Sequence, residues 1–380
     1  PLLFLLYLND IVEGIDGNIS LFADDTSLFS IQNSWNEVET QLKKDLRTME
    51  TWAKKWLVDF NAEKTFYISL AKGPDLEFFI KNVKILRVKL HKHLGIYFNE
   101  NFDWADHVHF ICNKASQKLG LQRKYKRDLN RRVLIKLFHS MIRPVLDYGC
   151  CIYDNLTLNL INKLENINRR AAIICTGAIP RTETVKLLSD LGWTTLSERR
   201  KKFKMLLMYK IFHNLAPGYL IEDLKRLGTE SPRFLINTRR SKDCKFKIAK
   251  FCRKQKFKKS FFPSAIEAWN SMPLEIRMLD SLAKLKKYLN IKFDFDNRFF
   301  DYNNMSCPGA RVLTQLRLGL SSLNNQLYNY NITDNPFCQM CLDNIETTEH
   351  FLFNCPNFVD ARVTYIKKTL VNDSKLCSTF

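Results

Sequence analysis

Residues 21–29, Leu-Phe-Ala-Asp-Asp-Thr-Ser-Leu-Phe, set two adjacent carboxylates, Asp24 and Asp25, between apolar segments. Ile19, Leu21 and Phe22 on one side and Leu28, Phe29 and Ile31 on the other read as two short strands, so the acidic pair falls where the chain must turn. The apolar flanks imply burial. Two like charges confined in an apolar hairpin repel strongly unless one is protonated or a cation lies between them. Hard divalent ions such as Mg²⁺ or Mn²⁺ are held by one or two such carboxylates together with substrate phosphates, and a pair of them serves in-line displacement at phosphorus. The same residues also read as a solvated turn, and the surrounding chain has to separate the two readings.

The chain has 380 residues, room for two or three domains, and 46% hydrophobic content supplies substantial cores. Its net charge of +20 points to an anionic polymer, nucleic acid before an acidic membrane surface. The eleven cysteines form no regular framework. Cys112, Cys150, Cys151 and Cys175 stand on apolar stretches as reduced thiols, which implies a reducing, intracellular compartment. The apolar run 2–8 lacks a basic leader and stops at Asn9-Asp10, so it is neither a signal peptide nor a membrane span. It reads as a buried helix, and the chain, starting at Pro1, as part of something longer.

Along the chain, residues 34–57 form the clearest helix. Ser34 and Glu37 suit a capping box, and Trp35, Val38, Leu42, Leu46, Met49, Trp52 and Trp56 make one apolar stripe opposite Lys43, Lys44, Asp45, Arg47, Lys54 and Lys55. Strands are expected at 65–70, 76–80, 83–90 and 93–98, as a small antiparallel sheet, giving an α+β layer. From Asp103 the pattern turns helical, near 104–127, 130–142, 157–175, 181–190 and 195–214, with breaks at Arg143-Pro144, Thr176-Gly177, Ile179-Pro180 and Ala216-Pro217-Gly218.

Basic residues fill the polar positions of this helical part: Arg123, Lys124, Arg127, Arg131, then Arg169, Arg170, Arg199, Arg200 and Lys204. The densest run, 239–259, includes Arg253 and Lys254 and interleaves Phe246, Phe251 and Phe257. Such runs serve either as solvated faces or as phosphate-tracking surfaces, and repetition with aromatics between favours the second.

Near the end, Cys338, Cys341, His350 and Cys355 give the spacing C-x₂-C-x₈-H-x₄-C. Three thiolates and an imidazole suit tetrahedral zinc with no open position for catalysis; the alternative is four scattered reduced residues. Phe337, Phe351 and Phe353 flank these ligands, either to stack on bases or to pack the small core. A segment this short needs the metal to fold. Cys307 and Cys377 fall outside the spacing, and no Gly-rich phosphate loop or nucleophile elbow is present.

Taken in order, these words resemble the C-terminal part of a non-LTR, jockey-like retrotransposon reverse transcriptase. Residues 1–11 resemble the helix after that family's Gly-Ser loop, and Phe22-Ala23-Asp24-Asp25 its catalytic palm hairpin. Trp56 with Phe60-Asn61-Ala62-Glu63-Lys64-Thr65 is similar to the next palm motif, and His93-Leu94-Gly95-Ile96 to the primer-gripping strand. Trp104 with His107 resembles the thumb entry, while residues 143–149, 216–220, 260–263 and 269–273 resemble phrases beyond the thumb. The zinc spacing resembles the loop at the C-terminal end of many such elements.

The resemblance implies an RNA-directed DNA polymerase using Mg²⁺ or Mn²⁺ at the palm and Zn²⁺ at the C-terminal cluster. Carried over, Asp24 and Asp25 hold the metal, with Asp24 as direct ligand, and Phe22 stands beside the primer terminus. Lys64 contacts or protonates the leaving phosphates, or is a solvated lysine. Leu94 and Gly95 form the primer grip, Gly95 allowing close backbone approach or marking a β-bulge. Arg123, Lys124, Arg127, Arg253 and Lys254 contact nucleic acid. The implied architecture is a partial right-hand palm over 1–100, a helical thumb with following helices over 101–215, a basic connector over 216–292 and a zinc-bound region over 293–380. Implied partners are an RNA template, a DNA primer or target, dNTP in the full-length enzyme, and upstream endonuclease, fingers and palm domains of the same polyprotein, in the nucleus with a cytoplasmic ribonucleoprotein stage. The family's other metal carboxylate lies upstream of these motifs, so the chain alone is expected not to polymerise. The competing reading is a non-catalytic RNA- or DNA-binding remnant with a basic surface and a structural zinc site.

Overall fold

A computed structural model describes residues 2–228, 259–293 and 307–363. The chain divides into two compact units, Pro1–His107 and Val108–Phe380, of mixed α+β character with small sheets.

In the first unit, helix α1 (Leu2–Tyr7) is followed by the β1–β2 hairpin (Asn18–Phe22 and Asp25–Phe29) and the long helix α2 (Trp35–Trp56). Ser34 caps α2, its hydroxyl accepting the Glu37 N–H. The apolar stripe divides its work along the helix. Trp35, Val38, Leu42 and Leu46 pack against Leu76 and against Phe78, Ile80 and Ile85 of the sheet that follows. Met49, Trp52 and Ala53 pack against Leu8 and Ile11. The Asp10 carboxylate accepts both indole N–H groups, from Trp52 at 2.8 Å and Trp56 at 3.0 Å, tying the chain after α1 to the end of α2. α1 itself buries no residue, contrary to the expectation of a buried helix; the buried residues are Leu8, directly after it, and Ile11.

The strands form three small sheets instead of one antiparallel sheet. β4 (Phe78–Ile80) and β5 (Val83–Arg87) make a hairpin, turned by Lys81 and Asn82 at positive φ. β3 (Phe66–Tyr67) adds to β5 in parallel. The connection 68–77 is long enough to carry the chain back across, and it is pinned where the Tyr67 hydroxyl accepts the Leu76 N–H and donates to the Leu76 carbonyl. The stretch 93–98 is not a single strand. β6 (Leu90–His93) and β7 (Ile96–Asn99) meet at a two-residue turn, Leu94 and Gly95, whose φ values of +46° and +83° no strand accommodates.

The second unit is helical, and its sequence-expected helices appear with shifted ends. α3 (Ala105–Lys124) opens at the boundary between the units. α4 (Arg131–Leu137) is capped by Asn130. Arg143-Pro144 does not break the chain's helicity. A π-turn at Phe138–Ile142 absorbs the mismatch, and α5 (Arg143–Asp147) carries Pro144 in its first turn, where no N–H is missed. α6 (Leu158–Thr176) ends on Gly177 at φ +70°, and α7 (Thr184–Leu191) follows. α8 (Leu196–Phe212) starts with a complete capping box between Thr195 and Glu198. Phe138 stacks on Trp193 at 4.2 Å between ring centres.

After α9 (Gly218–Gly228), helices α10 (Phe261–Asn270), α11 (Leu274–Arg277) and α12 (Leu282–Phe293) build a core round the fully buried Trp269, with Met205, Met208 and Tyr209 of α8 and Leu285 and Leu289 of α12. α13 (Cys307–Arg317) and α14 (Asn324–Asn329) lead into the cysteine–histidine segment. No helix among the described residues is long and apolar enough to cross a membrane.

Part of the expected basic face is internal. Arg200 and Lys204 are buried and share the Asp154 carboxylate, Arg199 pairs with Asp147, and Arg131 is buried against Asp190. These cations are neutralised by specific carboxylates and are not available to phosphate. The run 239–258, with Arg253 and Lys254, and Cys377 lie outside the described residues.

Candidate functional sites: an acidic hairpin and a Cys₃His cluster

Phe22 pairs with Asp25 across the end of β1–β2, so Ala23 and Asp24 form the two-residue turn and Asp25 already belongs to the strand. Ala23 takes φ +52°, as a tight hairpin turn requires. Asp24, Asp25 and Phe22 are exposed, and so are Leu21 and Phe29. This corrects the sequence expectation of an apolar, charge-crowded hairpin: water screens the two carboxylates, and electrostatics alone demands no cation between them.

The hairpin is anchored at its base by α2. Asp45, counted in the sequence among the polar-face residues, is completely buried. Its carboxylate accepts the N–H of Asp16 at 2.9 Å and of Gly17 at 3.0 Å, just before β1. One turn earlier, the Gln41 side-chain oxygen accepts from the Ser30 hydroxyl at 2.5 Å and the Gln32 amide at 2.7 Å, just after β2. Two residues four apart on one helix therefore hold both ends of the hairpin. The sequence carried one signal for this: Asp45 falls beside the apolar stripe, between Leu42 and Leu46.

The second turn, Leu94-Gly95, sits at the tip of β6–β7. On β6, burial holds the His91 ring below its usual pKa, assisted by His93, while the negative charge of Asp25 acts in the opposite direction. The base of this hairpin is therefore within electrostatic reach of the acidic one. Lys64 ends a 3₁₀ turn (Ala62–Lys64), exposed, its N–H capped by the Asn61 side chain at 3.1 Å. Arg123, Lys124 and Arg127 are exposed at and beyond the end of α3. No third acidic, histidine or cysteine side chain joins Asp24 and Asp25 in a metal-binding group among the described residues.

Cys338, Cys341, His350 and Cys355 do converge. Their ligand atoms all lie within 4.8 Å of one another. Cys338 Sγ is 3.9 Å from Cys355 Sγ, and Cys341 Sγ is 3.3 Å from His350 Nε2. Tetrahedral zinc with Zn–S near 2.3 Å sets ligand separations of roughly 3.5–3.8 Å, so the donor set and its spacing are compatible with zinc.

A short ribbon shapes the first pair. Phe337 and Ile345 form a β-bridge, the Cys338 N–H donates to the Asn344 carbonyl and the Leu342 N–H to the Cys338 carbonyl, both at 2.8 Å. A π-turn (His350–Asn354) then presents the second pair, and the Cys355 N–H donates to the His350 carbonyl at 2.7 Å. Backbone N–H groups of Asp343 and Asn344 draw the Cys341 thiol below its usual pKa, while burial raises that of Cys355. Phe351 packs edge-on against Phe358 at 4.9 Å, the core-packing role of the two weighed for it.

Similar proteins place the chain. Several of its relatives are named as RNA-directed DNA polymerases of mobile elements. It is 23% identical over 57% of its length to the RNA-directed DNA polymerase from mobile element jockey of Drosophila melanogaster, covering 24% of that protein. It is 21% identical over 53% of its length to the probable RNA-directed DNA polymerase from transposon X-element of the same organism, covering 23%. A Pol polyprotein of the type-1 retrotransposable element R1 of Bradysia coprophila is 22% identical over 90% of the chain, which covers 32% of that protein. The resemblance is thus to non-LTR retrotransposon polymerases, and the chain spans about a quarter of the length of the first two. No family model and no solved structure matches.

Proposed function

We propose that this chain carries the catalytic hairpin and nucleic-acid-holding helices of a non-LTR retrotransposon RNA-directed DNA polymerase. The observation that carries the reading is the Asp24 turn, presented to solvent on a hairpin whose two ends are fixed by Asp45 and Gln41 of α2. Two adjacent hard oxygen donors with open positions fit Mg²⁺ or Mn²⁺, which complete their shells with water and phosphate oxygens. Bound there, the ions supply charge neutralisation for in-line displacement at phosphorus.

The chain's own residues do the rest. Asp24 from the turn and Asp25 from the strand offer their carboxylates on one narrow tip. Phe22, opposite Asp25, offers an exposed ring to the primer terminus. The Leu94-Gly95 turn lets the backbone approach the primer. Lys64 serves the leaving phosphates, and Arg123, Lys124 and Arg127 hold the nucleic-acid backbone, joined by Arg253 and Lys254 of the basic run. RNA template, DNA primer, dNTP and further domains of a polyprotein are the partners on this reading, at nuclear DNA. Among the described residues no third carboxylate joins Asp24 and Asp25, and on this reading the 380-residue chain alone does not polymerise. The Cys₃His cluster holds a structural Zn²⁺.

A second reading, nucleic-acid binding without chemistry, is favoured by the exposure of the acidic pair. One experiment separates them. The chain, expressed within its longer reading frame, is assayed for primer extension on RNA with Mg²⁺. The polymerase reading expects Asp24→Ala to lower activity by at least about 100-fold with affinity unchanged. Extension indifferent to Asp24 and Asp25 overturns it, and binding alone, with affinity falling steeply in salt, supports the second reading.

A further inference from the structure

The segment around the Cys₃His cluster departs from the rest of the chain in charge. The protein has 59 lysines and arginines in 380 residues, yet the stretch 318–361 contains none. It contains five acidic residues, Asp334, Asp343, Glu346, Glu349 and Asp360. Glu346 is internal, accepting the Asn324 N–H at 2.6 Å, and the other four are exposed. A divalent zinc with three thiolates adds a further net negative charge.

The surface of the same segment is apolar. Phe337 and Ile345, paired across the bridge, are 43% and 45% exposed, and Met340 and Leu342 of the cysteine turn are 52% and 72% exposed. Leu342 holds φ +61°, a conformation glycine adopts freely and leucine only at a cost of about 1 kcal/mol. A large apolar side chain is thus kept, at that cost, exposed to solvent in the turn.

Arg362, just past this stretch, donates to the Cys355 carbonyl at 2.5 Å, and within 318–361 no cation is present to exchange for the counterions of a phosphate backbone. An apolar patch of this kind with charge at its border marks a protein-binding surface. We propose that the apolar, acid-bordered face of the Cys₃His module docks a lysine- and arginine-rich polypeptide segment carrying interspersed apolar side chains, and does not bind nucleic acid. The proposal rests on the cluster being zinc-loaded and is independent of any polymerase activity.

The test uses the zinc-loaded 380-residue chain and three fluorescent probes read by anisotropy: a lysine–leucine–phenylalanine peptide, a lysine–serine peptide of equal charge, and a single-stranded RNA. The apolar basic peptide is expected to bind more tightly than its serine control. Met340→Ser combined with Leu342→Gly keeps the turn geometry, verified by unchanged zinc content, and is expected to weaken that peptide by about tenfold or more while leaving RNA affinity unaltered. Asp343→Asn combined with Glu349→Gln, which leaves the apolar side chains in place, is expected to weaken both peptides and not the RNA. Equal binding of the two peptides, an unaffected apolar peptide in the first variant, or a loss of RNA affinity in either variant overturns the proposal.

Discussion

Asp45, buried in the middle of the long helix, accepts the Gly17 N–H at 3.0 Å, and a Cβ added at Gly17 would stand 2.5 Å from its Oδ2. Close approach, not chain reversal, is what requires glycine at this position.

Asp45→Ala leaves two backbone donors without their acceptor. It is expected to destabilise the first unit by about 3 kcal/mol, and Gly17→Ala by a smaller amount in the same direction. Urea denaturation followed by tryptophan fluorescence reads both. On the polymerase reading, either change should lower primer extension by the chain in its longer reading frame without touching Asp24 itself; a stable, fully active Asp45→Ala protein would remove α2 from any role in holding the hairpin.

Arg131 and Asp190 are both nearly inaccessible. The Arg131 guanidinium reaches the Asp190 carboxylate at 2.5 Å and Thr314 of α13 at 2.8 Å, while Arg317 reaches the same Asp190 at 3.0 Å. Asp190→Ala strands a buried cation and is expected to cost about 3–5 kcal/mol, seen as a lowered urea midpoint. Arg317→Ala, whose partner keeps Arg131, costs less.

Metal analysis is expected to find one zinc per chain at the Cys₃His cluster. Cys338→Ser should weaken zinc by more than about 100-fold, and chelation should open the segment 336–355 to protease while leaving the first unit's denaturation unchanged. Protease resistance that survives chelation would mean the segment folds without metal.

His107 is buried, its Nδ1 facing the Tyr97 N–H at 3.4 Å, and burial lowers its pKa to about 4. The folded state therefore binds fewer protons than the unfolded one between pH 6.5 and about 4. Stability is whole above pH 6.5 and falls as the pH drops through that window, by up to about 3 kcal/mol from this group. NMR of the histidine ring should show it neutral at pH 5.5, and His107→Gln should flatten the pH dependence of first-unit unfolding.

Much of the architecture is local and was readable. The α2 stripe, the Ser34 cap, the Gly177 stop and the Asp24 hairpin follow from propensity and period within a few residues. The convergence of Cys338, Cys341, His350 and Cys355 was readable because a metal-binding spacing is written along the chain itself. The parallel pairing of β3 with β5 was not, since it depends on where a ten-residue connection carries the chain. Nor was the turn inside 93–98, where a leucine shares positive φ with a glycine.

The sequence by itself determined which segments coil, where they cap, and which side chains are able to hold a metal, because those properties reside in neighbours along the chain. Only the tertiary structure decided which charges face water. Asp45, Arg131, Arg200 and Lys204 look like surface residues in sequence and are internal, whereas Leu21, Phe22 and Phe29 beside the acidic turn lie outside. A charge is buried only when a distant segment brings its counter-charge or donor, and no local pattern records that meeting.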